Sequence, residues 1–277
     1  MERMKTWLIT GTSSGFGRIL TELLLDRGDR VAATLRRPDA LDDLRAKAGD
    51  RLWVATLDVT RPDDVRERVD EAFAHFGTVD VVVNNAGYGL FAAVEEASRE
   101  QIQRVIDTNL LGSIDVIRAA LPHLRAQGHG RILQVSSAGG QTTYPNFSYY
   151  HAAKWGIEGF CETVAAEVAP FGIGVTIVEP GATPTGFGAG MDTAPIMAEY
   201  DATPAGDTRR AIADGSFALD NDPEAIVRAM IASADGPDAP LRLPLGGDTY
   251  RDVRASYVKR LELLDASREI ALSVVKA

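Results

Sequence analysis

Short apolar runs alternate along the chain with segments whose apolar residues recur at helical spacing. Such alternation is typical of a parallel β-sheet covered by helices on both faces. The apolar runs predict strands at residues 5–10, 30–35, 51–57, 79–84, 130–136 and 174–178, with another near 241–243. Helical spacing predicts helices at residues 15–27, 62–76, 99–126 and 149–169, and it returns at 223–232 and 251–270. The sequence therefore predicts an α/β protein with a doubly wound parallel sheet.

The chain has 277 residues, a length within the range of one α/β domain, and its composition marks no internal linker. We therefore predict a single domain over residues 1–277. Residues 186–215 break the alternating pattern, because they are rich in Gly, Ala, Thr and Pro, and they predict a mobile flap over the substrate. Residues 243–277 are predicted to form a variable carboxyl-terminal segment.

Charge and cysteine content argue against several kinds of partner. The formal net charge of -10 disfavours nonspecific binding to nucleic acid or anionic lipid, which needs clustered Lys and Arg. The only cysteine, Cys161, cannot form an intramolecular disulfide, which favours a reducing, cytoplasmic location. No apolar run approaches the roughly 20 residues of a membrane span, and residues 1–6 leave no room for a signal peptide. No metal site is predicted, because the four histidines lack a suitable spacing: His75, His123, His129 and His151.

The first predicted strand ends in Thr-Gly-Thr-Ser-Ser-Gly-Phe-Gly, residues 10–17, and the first helix follows at once. Gly11 can make the tight turn, Gly15 lets a pyrophosphate approach backbone N–H groups, and Gly17 permits close packing of helix and strand. One interpretation is a dinucleotide-binding turn. The spacing differs from Gly-x-Gly-x-x-Gly, so a tight strand-to-helix turn without a ligand is the alternative.

The end of the second predicted strand bears on the choice of dinucleotide. NAD-binding sites of doubly wound sheets often place a carboxylate here for the adenosine ribose, but Leu35 stands at that position. The guanidinium of Arg36 can instead make a bidentate, charge-assisted contact with a 2′-phosphate, with Arg37 and Ser13 as helpers. The sequence therefore favours NADP(H). The alternative is a solvated Arg-Arg pair at a strand end.

Two further strand ends carry polar or small residues. Asp58 follows the third predicted strand, where its carboxylate could accept an adenine amino hydrogen or could cap the following helix. Residues 84–87, Asn-Asn-Ala-Gly, follow the fourth predicted strand. Small residues there permit close backbone approach, and the amides can satisfy loop and ribose groups. Alone, this segment indicates only a turn.

Tyr150 and Lys154 stand four residues apart, which places the phenol and the ammonium on one face of the predicted helix. A phenol with a pKa of about 10 is a poor base near neutral pH, but a neighbouring lysine cation stabilises the phenolate. The pair could therefore transfer a proton to or from a substrate. The alternative is an ordinary helix surface. Tyr149 is followed four residues later by Ala153, so Tyr150 is the candidate proton donor.

Three more features stand in a fixed order with this pair. Ser136 and Ser137 end the strand before the helix of Tyr150, Asn109 lies in the earlier long helix, and the glycine turn opens the chain. From about residue 5 to residue 185, this order resembles the short-chain dehydrogenase/reductase family. The matching motifs are Thr-Gly-x-x-x-Gly-x-Gly, Asn-Asn-Ala-Gly, the Asn, Ser, Tyr and Lys tetrad, and Pro180-Gly181 with Thr185. The resemblance implies a Rossmann-like fold.

The resemblance also implies roles for individual residues. Ser137 would polarise the substrate oxygen, Tyr150 would transfer the proton, and Lys154 would lower the tyrosine pKa and hold the nicotinamide ribose. Asn109 would hold a water in the proton relay, whereas Ser136 would be structural. Residues after the sixth strand would lie beside nicotinamide and fix which ring face is exposed. The expected cofactor contacts are Gly11, Ser13, Ser14, Gly15, Phe16, Gly17, Arg36, Arg37, Asp58, Val59, Asn85, Ala86, Gly87, Tyr150, Lys154, Pro180, Gly181, Thr183 and Thr185.

The sequence thus predicts an NADP(H)-dependent oxidoreductase that moves a hydride between nicotinamide and a carbonyl or secondary alcohol. A homodimer or homotetramer is expected, because the family commonly pairs the helices that correspond to residues 99–126 and 149–169. Residues 243–270 are similar to the longer carboxyl ends of steroid- and retinol-dehydrogenase-like relatives, which hints at an apolar substrate. Two alternatives stay open: a redox-silent NADP(H)-binding regulator and a scaffold whose dinucleotide is structural.

Overall fold

The computed structural model describes residues 4–236 and 239–275, so the ends of the expected domain, 1–3 and 276–277, lie outside the described part. Nine strands occur in the described ranges: β1 (Thr6–Thr10), β2 (Arg30–Leu35), β3 (Leu52–Thr56), β4 (Val81–Asn84), β5 (Leu90–Phe91), β6 (Gly130–Val135), β7 (Ile173–Pro180), β8 (Asp192–Thr193) and β9 (Arg242–Leu245). Eleven α-helices occur in the same ranges: α1 (Gly15–Arg27), α2 (Asp42–Ala48), α3 (Pro62–Phe76), α4 (Arg99–Ile106), α5 (Gly112–Gln127), α6 (Ser148–Val168), α7 (Gly186–Ala189), α8 (Pro204–Ala213), α9 (Pro223–Asp235), α10 (Gly247–Ala266) and α11 (Arg268–Ser273).

Local residues explain several element ends. α1 ends at Gly28, whose φ of 97° lies in the left-handed region that glycine adopts most easily. Pro62 begins α3, where its missing N–H leaves no helical hydrogen bond unmade. α4 begins with a capping box, in which the Ser98 side chain accepts from the Gln101 N–H and Gln101 accepts from the Ser98 N–H. The predicted bounds of β2, α1 and α3 are therefore confirmed.

The order of strands places a crevice at the carboxyl edge of the sheet. Seven strands of the described residues form one parallel sheet in the order β3-β2-β1-β4-β6-β7-β9. The chain runs outward from β1 to β3 and then returns to β4 on the other side of β1. Doubly wound sheets bind ligands where the strand order reverses in this way, outside the carboxyl ends of the strands. The predicted Rossmann-like, doubly wound sheet is confirmed.

Helices cover both faces of this sheet and bury two apolar layers. On one face α3, α5 and α6 pack through residues such as Ile117 and Ile157. On the other face α1 and α9 pack through residues such as Leu24 and Met230. All four side chains are fully buried. The sheet is therefore a rigid support, and the loops at its carboxyl edge take their positions from buried strands.

Two of the predicted helices are interrupted in the structure. The helix predicted at 99–126 is interrupted by a π-helical turn at Asp107–Leu111, which separates α4 from α5. π-turns insert one residue into a helix and are frequent at functional sites. The helical pattern at 251–270 begins earlier than predicted and is broken near Ser267, between α10 and α11.

Residues 186–215 are more structured than their composition suggests. They contain α7, β8 and α8, and β8 pairs in parallel with β5. The Arg209 guanidinium binds the fully buried carboxylate of Glu96 and donates to Asn146 Oδ1 at 3.0 Å. These contacts attach the segment to the body of the protein. Its mobility stays a prediction.

The carboxyl-terminal helices extend from the last strand of the sheet. α10 follows β9 and buries Thr249 and Val253, while side chains further along α10, such as Leu261 and Leu264, are exposed. Among the described residues, none of the helices has the length and apolar content needed to cross a bilayer.

Candidate active site

The turn after β1 has the geometry that a pyrophosphate requires. Gly11 has a φ of 73°, and an added Cβ would come within 2.8 Å of the Ala86 Cα, so a side chain does not fit. A Cβ at Gly17 would overlap the Gly11 carbonyl oxygen. Gly15 has a φ of 55°, in the left-handed region, and an added Cβ would make ordinary van der Waals contact with the Thr185 Cβ at 3.7 Å. Ser14 caps α1 without a side-chain hydrogen bond, which leaves the first helical N–H groups available to phosphate oxygens.

Asn85 ties the loop after β4 to this glycine turn. Its Nδ2 donates to the carbonyl oxygens of Thr10 at 2.9 Å and Gly11 at 3.0 Å. In return, Thr10 Oγ1 accepts from the backbone N–H groups of Asn85 and Ala86, both at 3.0 Å. Asn85 therefore holds the shape of the turn. Cofactor contacts by Asn85, Ala86 and Gly87 stay a prediction.

The end of β2 presents a cation and no carboxylate. The Leu35 side chain is buried in the core, so it offers no polar group to a ribose. Arg36 is exposed, and within the described residues it forms no hydrogen bond or ion pair. Arg37, Ser13 and Ser14 are also exposed in the loops after β2 and β1. A guanidinium free of protein partners fits a phosphate group well.

The loop after β3 is held by Asp58. Its Oδ1 accepts from the Thr60 N–H at 3.0 Å and from the Thr60 hydroxyl at 2.8 Å. The residue that caps α3 is Arg61, which makes no side-chain capping bond. Asp58 therefore orders the loop and does not cap the helix. The Val59 side chain is buried, which leaves its backbone for the predicted cofactor contact.

Tyr150, Lys154 and Ser137 come together where α6 begins and β6 ends. Tyr150 is 7% exposed and Lys154 is 6% exposed. Lys154 Nζ donates to the Val135 carbonyl at 3.0 Å and lies 5.6 Å from the centroid of the Tyr150 ring. The Tyr150 hydroxyl is hydrogen-bonded to Ser137, whose Oγ also accepts from the Gly139 N–H at 3.0 Å. The structure thus brings the buried phenol and ammonium together with the half-buried Ser137 hydroxyl.

Burial dominates the protonation of this group. It raises the pKa of Tyr150 to about 12, while the hydrogen bond with Ser137 acts in the opposite direction. Burial also lowers the pKa of Lys154 to about 8. The Lys154 ammonium donates to the Val135 carbonyl, and its stabilisation of a phenolate stays a prediction. Tyr150 therefore keeps its proton near neutral pH, which is the state that a proton donor needs.

The π-turn between α4 and α5 carries Asn109 into the interior. Its Nδ2 donates to the Tyr88 carbonyl at 2.7 Å, and its Oδ1 accepts from the Tyr88 N–H at 3.0 Å. The amide thus fixes the loop after β4 against the long helical segment. Asn109 is fully buried. Its predicted part in a water-mediated proton relay stays a prediction.

Polar side chains hold the turn after β7, where nicotinamide contacts are expected. The Ala182 N–H donates to Asp248 Oδ2 at 2.7 Å, and Asn221 Nδ2 donates to the Ala182 carbonyl at 2.8 Å. Asn221 also donates to Asp248 Oδ1 at 2.9 Å. A Cβ at Gly181 would overlap the Asp248 carboxylate, so this glycine permits the close approach. Thr183 Oγ1 donates to the Gly181 carbonyl at 2.9 Å and completes the turn.

Aromatic rings surround the Tyr150 phenol on the side of residues 186–215. Thr185 begins α7 by accepting from the Phe187 N–H at 3.3 Å. The Phe187 ring lies 5.8 Å from the Tyr150 ring, edge to face. Phe147 lies 6.0 Å from Tyr150 and 5.1 Å from Phe91. Three phenylalanine rings therefore lie on this side of the Tyr150 phenol or behind it.

Sequence reasoning missed the residues that support these groups. Asp248 and Asn221 are distant in sequence from the turn that they hold, and no local pattern indicates them. Glu158 is buried one helical turn after Lys154, and its spacing was the available signal. Phe147 and Phe187 lie in no recognisable sequence motif.

Comparison with known proteins assigns the family. The short chain dehydrogenase family matches residues 5–195, more than half of the chain. The chain therefore belongs to the short-chain dehydrogenase family and is an oxidoreductase of that family. Oxidoreductase BOA17 of Botryotinia fuckeliana (strain B05.10) is 38% identical over 267 residues, which cover 96% of this chain and 96% of that protein.

Solved structures agree with this assignment. A short-chain dehydrogenase from Streptomyces avermitilis superposes with a TM-score of 0.91 at 36% identity, over 99% of this chain and 100% of that one. An alcohol dehydrogenase from Thermococcus sibiricus, complexed with 5-hydroxy-NADP, superposes with a TM-score of 0.70 at 28% identity. That match covers 87% of this chain and 94% of the other. Nucleotide binding is thus a property of its structural neighbours.

Proposed function

We propose that the protein is an NADP(H)-dependent oxidoreductase that interconverts a carbonyl compound and the corresponding secondary alcohol. The observation that carries this proposal is the cluster of buried Tyr150 and Lys154 with half-buried Ser137. A pure dinucleotide-binding protein has no need for a phenol, a hydroxyl and an ammonium that converge on one point. A reductase needs all three, because it must deliver a proton to a substrate oxygen while that oxygen gains charge.

Each side chain has a distinct task in this reaction. The nicotinamide cofactor, when bound, supplies or accepts the hydride. The Ser137 hydroxyl donates a hydrogen bond to the substrate oxygen and orients it toward Tyr150. The Tyr150 hydroxyl donates its proton to that oxygen during reduction and takes it back during oxidation. Lys154 stabilises the resulting phenolate and holds the nicotinamide ribose, and Asn109 holds a water that resupplies the proton.

The residues at the carboxyl edge of the sheet fit a dinucleotide. The left-handed turn at Gly11 and Gly15, and the first N–H groups of α1 without a side-chain cap, suit a pyrophosphate. Arg36, free of protein partners, suits a 2′-phosphate, and buried Leu35 offers no carboxylate that would repel it. The NADP analogue bound to the Thermococcus sibiricus relative supports the same choice. We therefore propose NADP(H) over NAD(H).

The substrate end of the site favours an apolar molecule. Phe187, Phe147 and Phe91 form a chain of rings that begins at the reacting phenol. Residues 186–215, which carry Phe187, cover this side. We propose that they order further when substrate binds. An apolar substrate would gain binding energy by burying its surface against these rings. It would therefore need no charged group in order to bind.

The test is oxidation of NADPH against a panel of ketones and aldehydes of increasing apolar size, with NADH in parallel and the alcohols assayed in reverse. We expect turnover with NADPH that exceeds turnover with NADH and rises with apolar size. The competing proposal is a redox-silent NADP(H)-binding regulator or scaffold. Tight NADPH binding without turnover in either direction across the panel would favour that alternative.

We also propose a homodimer or homotetramer built on the α4–α5 segment and α6, in a cytoplasmic setting that suits the single, buried Cys161. Light scattering across micromolar concentrations measures the assembly. A monomer at every concentration would reject this part and would leave the proposed chemistry in place.

A further inference from the structure

Glu158 continues the line of functional groups along α6. Tyr150, Lys154 and Glu158 stand four residues apart in turn, so they share one face of the helix. Glu158 is 2% exposed, which is less than either of the other two. A carboxylate at this depth needs several hydrogen-bond donors. Glu158 has three donors, two from the turn at residues 136–141 and one from β9.

The first two donors bracket the turn that carries Ser137. Ser136 Oγ, just before Ser137, donates to Glu158 Oε1 at 2.5 Å. Gln141 Nε2, at the other end of the turn, donates to Glu158 Oε2. Between them, Gly140 approaches so closely that an added Cβ would overlap Glu158 Oε1. The turn from 136 to 141 is therefore wrapped around the Glu158 carboxylate.

The third donor is Arg242 on β9. Its guanidinium binds Glu158 and Glu179, both 2% exposed, and it also binds the exposed Glu162 at 2.8 Å. Burial and the neighbouring charge of Glu158 raise the pKa of Glu179 to about 7. One guanidinium thus serves two buried carboxyl groups.

Lys154 lacks a direct carboxylate partner. Among the described residues its ammonium donates to the Val135 carbonyl and forms no ion pair. The charge of Glu158, one helical turn further on, raises the pKa of Lys154 against the effect of burial. The same charge raises the pKa of Tyr150. Glu158 is therefore the acid that favours an ammonium and a protonated phenol together.

We propose that Glu158 is a positioning residue of the active site, which holds both ends of the Ser137 turn and supplies the counter-charge for Lys154. The inference rests on the proposed reductase function. Glu158 has no access to the substrate, so it acts through Ser137 and Lys154. The titratable and charged groups that face it across the surrounding elements are Tyr150, Lys154, Cys161, Glu162, Glu179, Arg242 and Tyr257.

The first test is Glu158→Gln, which keeps the size of the side chain and removes its charge. Carbonyl reduction needs a protonated phenol and an ammonium, and losing the charge of Glu158 lowers the pKa of both groups. We therefore expect the basic limb of the reduction profile to move about one unit to lower pH. Glu162→Gln is the matched control, because Glu162 binds the same arginine but is exposed. It should leave the basic limb unchanged.

A second pair of variants separates position from charge. Ser136→Ala frees one end of the turn and leaves the charge of Glu158, so kcat should fall about tenfold with the basic limb unmoved. Glu158→Asp keeps the charge on a shorter side chain and should also lower kcat without moving the limb. If Ser136→Ala or Glu158→Asp retains the wild-type kcat, the proposed positioning of Ser137 is overturned. These variants also serve if Glu158→Gln does not fold.

A binding measurement tests the charge without turnover. Fluorescence titration of NADPH binding at a series of pH values reports the protonation of Lys154. As pH rises, the affinity for NADPH should begin to fall at a lower pH in Glu158→Gln than in the wild type. If the wild type reduces no carbonyl compound, the proposed function fails while this measurement still decides the role of Glu158. A folded Glu158→Gln protein with the wild-type pH dependence of both NADPH affinity and turnover overturns the inference.

Discussion

The two sides of the active site are built by different means. The side of α6 buries Tyr150, Lys154 and Glu158 to 7%, 6% and 2% exposure, against a sheet whose strands are themselves covered. The opposite side, residues 186–215, leaves Phe187 and Ile196 at 39% and 66% exposure. The buried sheet therefore fixes Tyr150, Lys154 and Glu158, whereas residues 186–215 keep large apolar side chains at the surface. Buried and exposed parts of a protein differ in local stability, so we expect the two sides to respond differently to substitution.

Residues 186–215 are held to the rest of the protein by several polar contacts. Glu96 accepts from the Met197 N–H at 2.9 Å and binds Arg209, so one buried carboxylate joins two parts of the segment. Gln101 and Arg104 bind Asp192 from the side of α4. The side of α6, in contrast, is held mainly by apolar layers. Removing one polar side chain should therefore change the stability of residues 186–215 more than that of α6.

The largest effect is expected from Tyr150→Phe, on the buried side. The change removes the transferable proton and keeps the ring, so kcat should fall about 10²- to 10⁴-fold while NADPH binding changes little. Lys154→Ala should weaken both turnover and NADPH binding, because the ammonium serves the phenol and the ribose. Stopped-flow kinetics and fluorescence titration measure the two quantities. Wild-type turnover in Tyr150→Phe, with chemistry rate-limiting, would remove Tyr150 from the mechanism.

The next effect concerns residues 186–215. Arg209→Ala leaves the Glu96 carboxylate buried without its cation, a loss on the order of 3 kcal/mol for a pair of this kind. Hydrogen exchange should become faster in residues 186–215 and KM should rise, while exchange in α6 stays slow. Arg210→Ala is the control, because its ion pair with Asp207 is exposed. Equal exchange in Arg209→Ala and the wild type would show that other contacts hold the segment.

Substrate should act on the same segment in the opposite direction. Because residues 186–215 cover the aromatic rings beside Tyr150, their exchange should slow in a complex with NADP⁺ and substrate. The cofactor alone should have a smaller effect. Equal protection with and without both ligands would indicate a rigid wall.

A smaller effect is expected at the cofactor edge. Arg36→Ala should lower NADPH affinity about 10- to 100-fold with little change for NADH, because one charge-assisted contact is lost. Arg45→Ala, which removes another exposed arginine, is the control. Titrations with both cofactors measure the preference. A clear preference of the wild type for NADH would contradict the assignment of Arg36.

The smallest effect is on stability against pH. Burial raises the pKa of Glu179 to about 7, so the folded protein holds a proton that the unfolded chain releases above its ordinary value of 4.5. This contribution is present at low pH and is lost as pH rises from about 4.5 through 7. Glu179→Gln should therefore lose less stability than the wild type between about pH 5 and pH 8. Urea unfolding at pH 5 and pH 8 measures the free energy of unfolding of both proteins. If this free energy changes equally with pH in Glu179→Gln and in the wild type, the raised pKa is contradicted.

The parts of the molecule that could be predicted have local causes. β2, α1 and α3 have their predicted bounds. For the two helices the signal is local: Gly28 directly follows α1, and Pro62 is the first residue of α3. The convergence of Ser137, Tyr150 and Lys154 follows from a strand end and a four-residue helical spacing. Such signals operate over a few residues, which is the range that periodicity and capping describe.

The parts that could not be predicted depend on distant partners. Arg209 finds Glu96 across 113 residues, and Arg242 finds Glu158 across 84 residues. The composition of 186–215 suggested few anchors, because a polar anchor is visible only when its partner is known. The burial that raises the pKa of Tyr150 is also a tertiary property. A motif therefore singled out Ser137, Tyr150 and Lys154, which the structure brings together, but not the burial that sets their protonation.

The contact between Gly140 and Glu158 has a consequence for the evolution of the chain. Ser136, Gln141 and Arg242 fix the carboxylate, so it cannot move aside for a methyl group at position 140. An alanine at 140 therefore becomes acceptable after the glutamate has been replaced by a smaller residue, and a glutamate becomes acceptable after 140 has become glycine. The two positions should covary among relatives, and a glycine at 140 with a glutamate at 158 marks those that share this buried acid.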